Sequence, residues 1–381
     1  MYVCGRDMGG FGTVMPALAQ AQQRGIVGNI HIAATRPQSI EILKRQQQDM
    51  DERLAITSRI TGYPQSGGAD PSAYRKVLQE MDRPACAIVV VPDHLHAEVT
   101  ADVLRAGLHA LVVKPLTPTV AEGQELIRLA QEHSVYGAVE FHKRFDEANL
   151  LMRQTVEDGR LGDLCYVSVE YSQRRTIPEH AFSAWAEQSN IFQYLGVHYV
   201  DLVYFATGAR PVRAMATAQY HYLRSHGTNT PDAVQAMVEW EMPNGKTFVA
   251  SYLTHWVDSE KTSSMSDQKI TLLGTQGRFE SNQKHRGVQI VTDDGIEDVN
   301  PYFTQLYKGV SGLMDVHGYG PKSIEQFLLD VRALELGQVD LDTLSAERPS
   351  FADALVATAV VEAVNKSLTT NGEWVPVPGV S

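Results

Sequence analysis

The chain has 381 residues, of which 33 are Lys or Arg and 45 are Asp or Glu, giving a formal net charge of −12. This acidic balance argues against a nucleic-acid or membrane-surface partner, because both present negative charge that attracts clustered basic residues. Hydrophobic residues make up 43 %, but no apolar run approaches the roughly 18 residues that span a bilayer. The three cysteines form no ligand cluster with histidine, and no secretory pattern opens the chain. We therefore expect a cytoplasmic globular protein without a metal site.

Short apolar strands alternate with amphipathic helices up to about residue 145, which is typical of a doubly wound α/β domain with a parallel sheet. The predicted strands are Tyr2–Cys4, Ile30–Ala34, Ala87–Val91, Leu108–Val113 and Tyr136–Glu140. The predicted helices are Thr13–Arg24, Gln38–Leu54, Pro71–Met81, Ala97–Ala106 and Val120–His133. We expect residues 1–145 to form a dinucleotide-binding, Rossmann-like N-terminal domain.

In residues 146–381, apolar and polar residues alternate within short predicted strands that are separated by Gly. This pattern predicts an α+β domain built on an open, mainly antiparallel sheet. Pro243-Asn244-Gly245 joins two of these strands in a hairpin, and we expect an antiparallel meander. The final helix, Phe351–Leu368, can pack back on the first domain. Both faces of Ala233–Glu241 carry apolar groups, so we expect a homodimer or homotetramer through this sheet.

The turn Gly10-Phe11-Gly12-Thr13 precedes the first predicted helix, as in a pyrophosphate-binding loop. Met15 stands where a third small residue is usual, so a purely structural turn is an equal alternative. After the second strand, Thr35-Arg36 takes the place of the acid that binds the ribose of NAD. A hydroxyl and a guanidinium suit a 2′-phosphate, which favours NADP, although NAD is possible. The alternative is that Arg36 is a solvent-exposed residue in a surface turn and binds no cofactor.

Two further strands end in polar residues, Pro92-Asp93-His94-Leu95-His96 and Lys114-Pro115. Ligands of parallel sheets bind at the carboxyl ends of the strands. Pro92, His96, Lys114 and Pro115 are thus candidate contacts for the nicotinamide end of a cofactor. Partial desolvation of Lys114 would suit proton transfer, and an exposed lysine at a strand end is the alternative.

Several blocks in the correct order resemble the glucose-fructose oxidoreductase/inositol dehydrogenase (Gfo/Idh/MocA) family over nearly the whole chain. The blocks are Pro92-Asp93-His94-Leu95-His96 (family T-P-N-x-x-H), Gly107-Leu108-His109 (A-G-K-H), Lys114-Pro115-Leu116 (E-K-P-L), His142-Lys143-Arg144-Phe145 (N-x-R-F), Gly196-Val197-His198-Tyr199-Val200-Asp201 (G-x-H-x-x-D) and Gly274-Thr275-Gln276-Gly277 (G-T-x-G). The resemblance implies an NAD(P)-dependent oxidoreductase of sugars and cyclitols, with a Rossmann domain followed by an open-sheet domain.

The same resemblance implies that Lys114 and His198 are the family's catalytic lysine and histidine. The chain departs from the pattern at Val113, where the family has Glu, at Tyr194, where it has Asp, and in the irregular Gly loop. Tyr194, His198 and Asp201 have helical i, i+4, i+7 spacing, which predicts one shared face. We expect Tyr194 to replace the missing acid; an aromatic core helix is the alternative.

Candidate substrate contacts come from the turn after the last strand of the first domain and from the second domain. They are His142, Arg144, Tyr171, Trp185, Tyr194 and His198. The Gly-rich segment with Tyr302, His317 and Tyr319 could cover the site. We predict hydride transfer between NADP or NAD and a ring carbinol or ketone of a sugar, glycoside or cyclitol. Two alternatives stay open: a non-catalytic relative that senses dinucleotide or sugar through a protein partner, and an enzyme whose cofactor never leaves.

Overall fold

The structure is a computed structural model that describes residues 12–65 and 67–379. Its N-terminal part alternates parallel strands with helices, as predicted. The strands are β1 (Ile30–Ala33), β2 (Ile60–Tyr63), β3 (Cys86–Val89), β4 (His109–Val113) and β5 (Gly137–Glu140). The helices are α1 (Val14–Gln23), α2 (Pro37–Leu54), α3 (Ala73–Glu80), α4 (His96–Arg105) and α5 (Val120–Glu132).

The parallel pairing follows β1–β2 and β3–β4–β5. β4 and β5 are almost wholly buried, which explains their continuous apolar sequence. The sequence pattern does not indicate β2, because its four residues include Gly62 and a proline follows. The predicted strand Tyr2–Cys4 lies outside the described residues.

The C-terminal part is built on one large sheet with helices packed on one face. Its helices are α6 (Glu147–Glu157), α7 (Val197–Thr207), α8 (Tyr222–Ser225), α9 (Tyr319–Glu335), α10 (Leu341–Glu347) and α11 (Phe351–Thr369). Its strands are β6 (Leu164–Arg174), β7 (Arg210–Gln219), β8 (Ala233–Glu241), β9 (Thr247–Asp258), β10 (Ser266–Gly274), β11 (Arg278–Asn282), β12 (Val288–Thr292), β13 (Gly295–Val299), β14 (Gln305–Lys308), β15 (Met314–His317) and β16 (Val375–Pro376).

The strand order of the large sheet is β11-β10-β6-β9-β8-β7-β16, and most pairs are antiparallel, as predicted. The expected meander is wrong in one respect, because β6 pairs in parallel with β9 at the centre of the sheet. Such a pair needs a long crossover, and the chain between β6 and β9 contains α7, β7 and β8. The crossover brings α7 to the junction with the first part, where the candidate site lies.

The final helix α11 packs against α5 and β5 of the first part and against α7 and β7 of the second. The ring of Phe351 lies over Gly137, where a Cβ atom would come within 2.4 Å of the ring. Gly137 therefore permits the close approach of α11 to β5. The division near residue 145 stays a prediction, since α11 contacts both parts. No helix within residues 12–65 and 67–379 is long and apolar enough to cross a membrane.

Candidate active site

A cleft runs from the start of α1, past the carboxyl ends of β1, β3, β4 and β5, to the large sheet. Most of the candidate residues line it. They are Gly12, Thr13, Thr35, Pro92, Lys114, His142, Tyr171, Trp185, Tyr194 and His198. Gly10 and Phe11 lie outside the described residues, and Arg36, His96, Pro115 and Arg144 do not line the cleft. The structure thus brings together residues that are far apart in sequence at the junction of the two parts.

At one end of the cleft, the chain enters α1 through Gly12 and Thr13. Gly12 has φ 66°, a left-handed conformation that favours glycine. Thr13 makes no side-chain cap bond to the first turn of α1; its Oγ1 instead lies 3.1 Å from Oγ1 of Thr304. The first N–H groups of the helix therefore stay available to a ligand phosphate. Together with the strand ends, this donor set fits a dinucleotide.

The part of the cleft next to the end of β1 contains Thr35 and also Asp70, an acidic residue that the sequence motifs did not indicate. Asp70 donates its backbone N–H to the carbonyl oxygen of Thr35 over 2.7 Å and lines the cleft. Its carboxylate accepts hydrogen bonds from Ser72 Oγ and N, which lower the pKa of Asp70 below its usual value. Arg36 is the exposed N-cap residue of α2. Asp70 is too far from Thr35 in the sequence for a local motif to indicate that the two residues are neighbours.

His96 joins the ends of β3 and β4 rather than facing the cleft. The ring is fully buried, with Nδ1 2.7 Å from the carbonyl oxygen of Pro115 and Nε2 3.0 Å from that of Val91. This bridge fixes the two strand ends that carry Pro92 and Lys114. His96 and Pro115 therefore shape the cleft wall from behind.

Lys114 is held by Tyr194 in two ways. Its Nζ donates a hydrogen bond of 2.5 Å to the carbonyl oxygen of Tyr194 and lies 3.7 Å from the centroid of the Tyr194 ring. The ring in turn packs against Phe182, Trp185 and Trp256. A cation over an aromatic face is attracted by the ring quadrupole, so Tyr194 fixes the position of the ammonium group.

His198 lies deep in the cleft at the start of α7. Its ring centroid is 4.8 Å from that of His142 and 6.3 Å from that of Tyr171. Burial, and then the neighbouring charges of Lys114 and His142, lower the pKa of His198 well below 6.5. Its Nδ1 has no hydrogen-bond partner among the residues that the structure describes. The Nδ1 atom is itself buried, so a ligand hydroxyl in the cleft would meet another part of this imidazole ring.

Two residues of the cleft wall were missed by sequence reasoning, Glu140 and Lys143. Glu140 ends β5, and its carboxylate accepts from Ser323 Oγ over 2.8 Å and lies 2.9 Å from Nδ1 of His142. Lys143 is buried, and its Nζ donates to Oε1 of Gln268 and of Gln283. Burial lowers the pKa of Lys143 to about 7, although Asp146 opposes this. A charged residue inside an apolar run was the available signal for Glu140.

The structure does not support Arg144 as a substrate contact. Its guanidinium is buried in ion pairs with Asp201, at 2.5 Å, and with Asp353, at 2.6 Å. Asp201 therefore does not share the cleft face with Tyr194 and His198, as the helical spacing predicts. The turn Phe192–Gly196 is a π-helix, so the 3.6-residue period does not hold across Tyr194. Arg144 instead joins the first part to α7 and α11.

Comparison with known proteins identifies similar chains over both parts. Residues 8–141 match the model of an oxidoreductase family with an NAD-binding Rossmann fold, and residues 150–280 match the GFO/IDH/MocA C-terminal domain. Inositol 2-dehydrogenase of Rhizobium meliloti (strain 1021) is 22 % identical over 353 residues, covering 90 % of this chain and 94 % of the relative. The scyllo-inositol 2-dehydrogenase (NADP(+)) of Bacillus subtilis (strain 168) is 33 % identical over 136 residues, covering 33 % and 37 %.

The fold also has close counterparts among solved structures. The crystal structure of an inositol dehydrogenase homologue from Azotobacter vinelandii, complexed with NADH and myo-inositol, superposes with a TM-score of 0.65. It is 18 % identical and covers 92 % of this chain and 98 % of its own. This likeness confirms the predicted fold, a Rossmann-type part followed by a part with a mainly antiparallel sheet.

Proposed function

Because the chain belongs to the Gfo/Idh/MocA family of NAD(P)-dependent oxidoreductases, we propose that it acts on a cyclic polyol. The reaction is hydride transfer between the cofactor and a ring carbinol or ketone of a sugar, glycoside or cyclitol. The observation that carries the proposal is the meeting of Lys114 and His198 in the cleft that also contains the open first turn of α1. The relatives that act on inositols support the substrate class.

The residues that would hold the cofactor form one edge of the cleft. Gly12, Thr13 and the first turn of α1 would bind the pyrophosphate, with Pro92 and Lys114 at the nicotinamide end. A bound nicotinamide dinucleotide supplies the hydride acceptor or donor. Thr35 and the exposed Arg36 favour NADP over NAD, since a guanidinium matches a 2′-phosphate. Arg36 directly follows Thr35, which lines the cleft, and its exposed side chain makes no hydrogen bond or ion pair with the described residues.

The substrate would lie between the strand ends and the large sheet. Lys114 and the imidazole of His198, which both line the cleft, would bind the reacting oxygen, and the ammonium group would stabilise negative charge that develops there. Tyr171 and Trp185 offer aromatic faces to a polyhydroxylated ring. Tyr194 stands where the family has its acid, and we propose that it positions Lys114 through its carbonyl and its ring.

A substrate panel tests this proposal. The purified protein is mixed with NAD⁺ or NADP⁺ and with inositols, aldoses, glycosides and anhydrosugars, and the absorbance of the reduced nicotinamide is followed. The expected result is reduction by at least one ring polyol, with NADP⁺ preferred. Dinucleotide binding without turnover on any member, in either direction, would contradict the proposal and favour a sensing role.

We also propose that the protein assembles through the large sheet, as a homodimer or homotetramer. The face of the sheet opposite to α7 and α11 carries exposed apolar side chains on three neighbouring strands. Tyr166 is 43 % exposed, Met237 39 % and Leu253 42 %. Such a patch favours a second copy, because its burial removes apolar surface from water. The cytoplasmic location expected from the sequence stays a prediction.

A further inference from the structure

We propose that Glu140 and His142 form the acid–base pair that exchanges the substrate proton in this protein. The inference rests on the proposed function and names the proton acceptor within the same site. The chain has Tyr194 where the family has an acidic residue, and the pair supplies a carboxylate in the same site. It also explains why the His142–Phe145 block begins with His, where the family pattern has Asn.

The two side chains form a carboxylate–imidazole pair. Nδ1 of His142 lies 3.0 Å from Oε1 and 2.9 Å from Oε2 of Glu140, and Oε1 also accepts from Ser323 Oγ. An ionised carboxylate only accepts hydrogen bonds, so Nδ1 of His142 carries the hydrogen. The neutral ring then has its lone pair on Nε2. A carboxylate that holds an imidazole in one tautomer and balances its charge is the arrangement used for general bases.

The pair lies in the cleft beside His198. His142 and Glu140 both line the cleft, and their side chains are 14 % and 10 % exposed. The His142 ring packs beside that of His198 and against Phe303 and Tyr319, with centroid distances of 5.1 Å and 5.8 Å. The end of β5 and the short turn that follows hold both residues. Their position is therefore fixed before a ligand arrives.

The other candidates are less suited to receive the proton. Tyr194 is engaged with Lys114 through its carbonyl and its ring face. Burial, and then the nearby charge of Lys114, hold the pKa of His198 well below 6.5, so it binds a proton weakly at neutral pH. It can still hold the substrate oxygen by a hydrogen bond. The Glu140–His142 pair adds what His198 lacks, a carboxylate in direct contact with the ring.

In the oxidation direction, the carbinol C–H bond breaks and its electron pair leaves as hydride to NAD(P)⁺. The O–H bond breaks, its proton passes to Nε2 of His142, and the C=O bond forms. Glu140 then balances the positive charge of the imidazolium. Reduction returns the same proton to the oxygen, so no other reactant is needed.

Kinetics of two variants, with a substrate found in the panel, test the assignment. His142→Asn restores the family residue, and we expect it to lower kcat by about 100-fold or more, the usual contribution of a general base. Glu140→Gln removes the charge and should lower kcat by about 10-fold or more. KM and dinucleotide affinity should change less than about threefold in both. The matched controls are His94→Asn and Glu147→Gln, two exposed residues outside the cleft lining.

A second measurement needs no substrate. Long-range ¹H–¹⁵N spectra of histidine-labelled protein report which ring nitrogen carries the hydrogen, and His142→Asn identifies the signals. We expect His142 to be protonated at Nδ1 in the parent and to lose this preference in Glu140→Gln. A higher KM with unchanged kcat in His142→Asn, or an Nε2-protonated His142 in the parent, would overturn the inference. Failure of the parent to bind or reduce any nicotinamide dinucleotide would instead overturn the proposed function.

Discussion

Lys114 and Lys143 line the same cleft, but they have different surroundings. Lys114 contacts a carbonyl oxygen and an aromatic face, whereas Lys143 is buried against two amide oxygens. No carboxylate of the described chain lies within ion-pair distance of Lys143. Desolvation therefore dominates at Lys143, and its pKa falls to about 7 from the usual 10.5.

This shift predicts a pH-dependent stability. Above about pH 7, the unfolded chain binds a proton at Lys143 that the folded chain releases, so the free energy of unfolding rises with pH, by about 2 kcal/mol up to pH 9. Below pH 7 both states are protonated and the folded state carries the full cost of burial. Lys143→Met should remove this rise. Urea unfolding at several pH values measures it, with the exposed Lys76→Met as control; an unchanged slope in Lys143→Met would refute the interpretation.

Arg36 tests the cofactor preference at a single side chain. We expect Arg36→Ala to weaken NADP⁺ binding by about tenfold or more and NAD⁺ binding by less than twofold, because only NADP⁺ has the 2′-phosphate. Titration of the protein's fluorescence with NADP⁺ and with NAD⁺ measures the two affinities. Arg45→Ala, farther along α2, is the control. Equal losses for the two cofactors would reject the NADP preference, and the nearby Asp70 would then favour NAD.

The order of the motifs predicts Lys114, His142 and His198 as neighbours, and the structure brings all three to one cleft. Motif order does not place Glu140, whose signal is a charge within an apolar run, or Lys143, which bonds to Gln268 of β10 and to Gln283 just after β11. Arg144 belongs to the same block as His142, but its direction is decided by Asp201 and Asp353. Tertiary partners, and not local spacing, decide that His142 faces the cleft and that Arg144 does not.

At the level of elements, the Arg144 cluster joins the turn after β5 to α7 and α11. We expect Arg144→Met to lower the free energy of unfolding by about 3–5 kcal/mol, since it leaves two carboxylates without their cation in a buried site. Chemical denaturation measures the loss. Arg153→Met is the control, because Arg153 pairs with Glu157 on the exposed side of α6 and such pairs contribute less than about 1 kcal/mol. A comparable loss in both variants would contradict the role of Arg144.

The helices and strands with strong periodicity could be predicted from sequence, and those defined by long-range contacts could not. The 13-residue helix α5 shows both an apolar stripe and a capping box at Thr119 and Glu122. By contrast, β7 carries charged and apolar residues without a clear alternation, and its pairing with β8 defines it. The parallel contact of β6 with β9 likewise follows from a crossover, which no local pattern encodes.

For the whole molecule, the exposed face of the large sheet predicts assembly. Leu253→Glu should convert the oligomer to a smaller species, because a carboxylate on β9, the middle of the three strands, would be buried in the interface beside Glu170 without a cationic partner. Analytical ultracentrifugation measures the mass. Leu151→Glu, on the exposed side of α6 and 55 % exposed, is the matched control. A monomeric parent, or a Leu253→Glu oligomer of unchanged mass, would rule out this interface.

The most direct test of the proposed function is the effect of Lys114→Met on nicotinamide reduction and on dinucleotide binding in the same preparation. With the best substrate of the panel, we predict that kcat falls by about 100-fold or more, because the ammonium group no longer stabilises charge on the reacting oxygen. We also predict that the dissociation constant of NADPH changes by less than about fivefold, because Gly12, Thr13 and α1 still bind the pyrophosphate. A Lys114→Met variant that keeps the turnover of the parent would contradict the account.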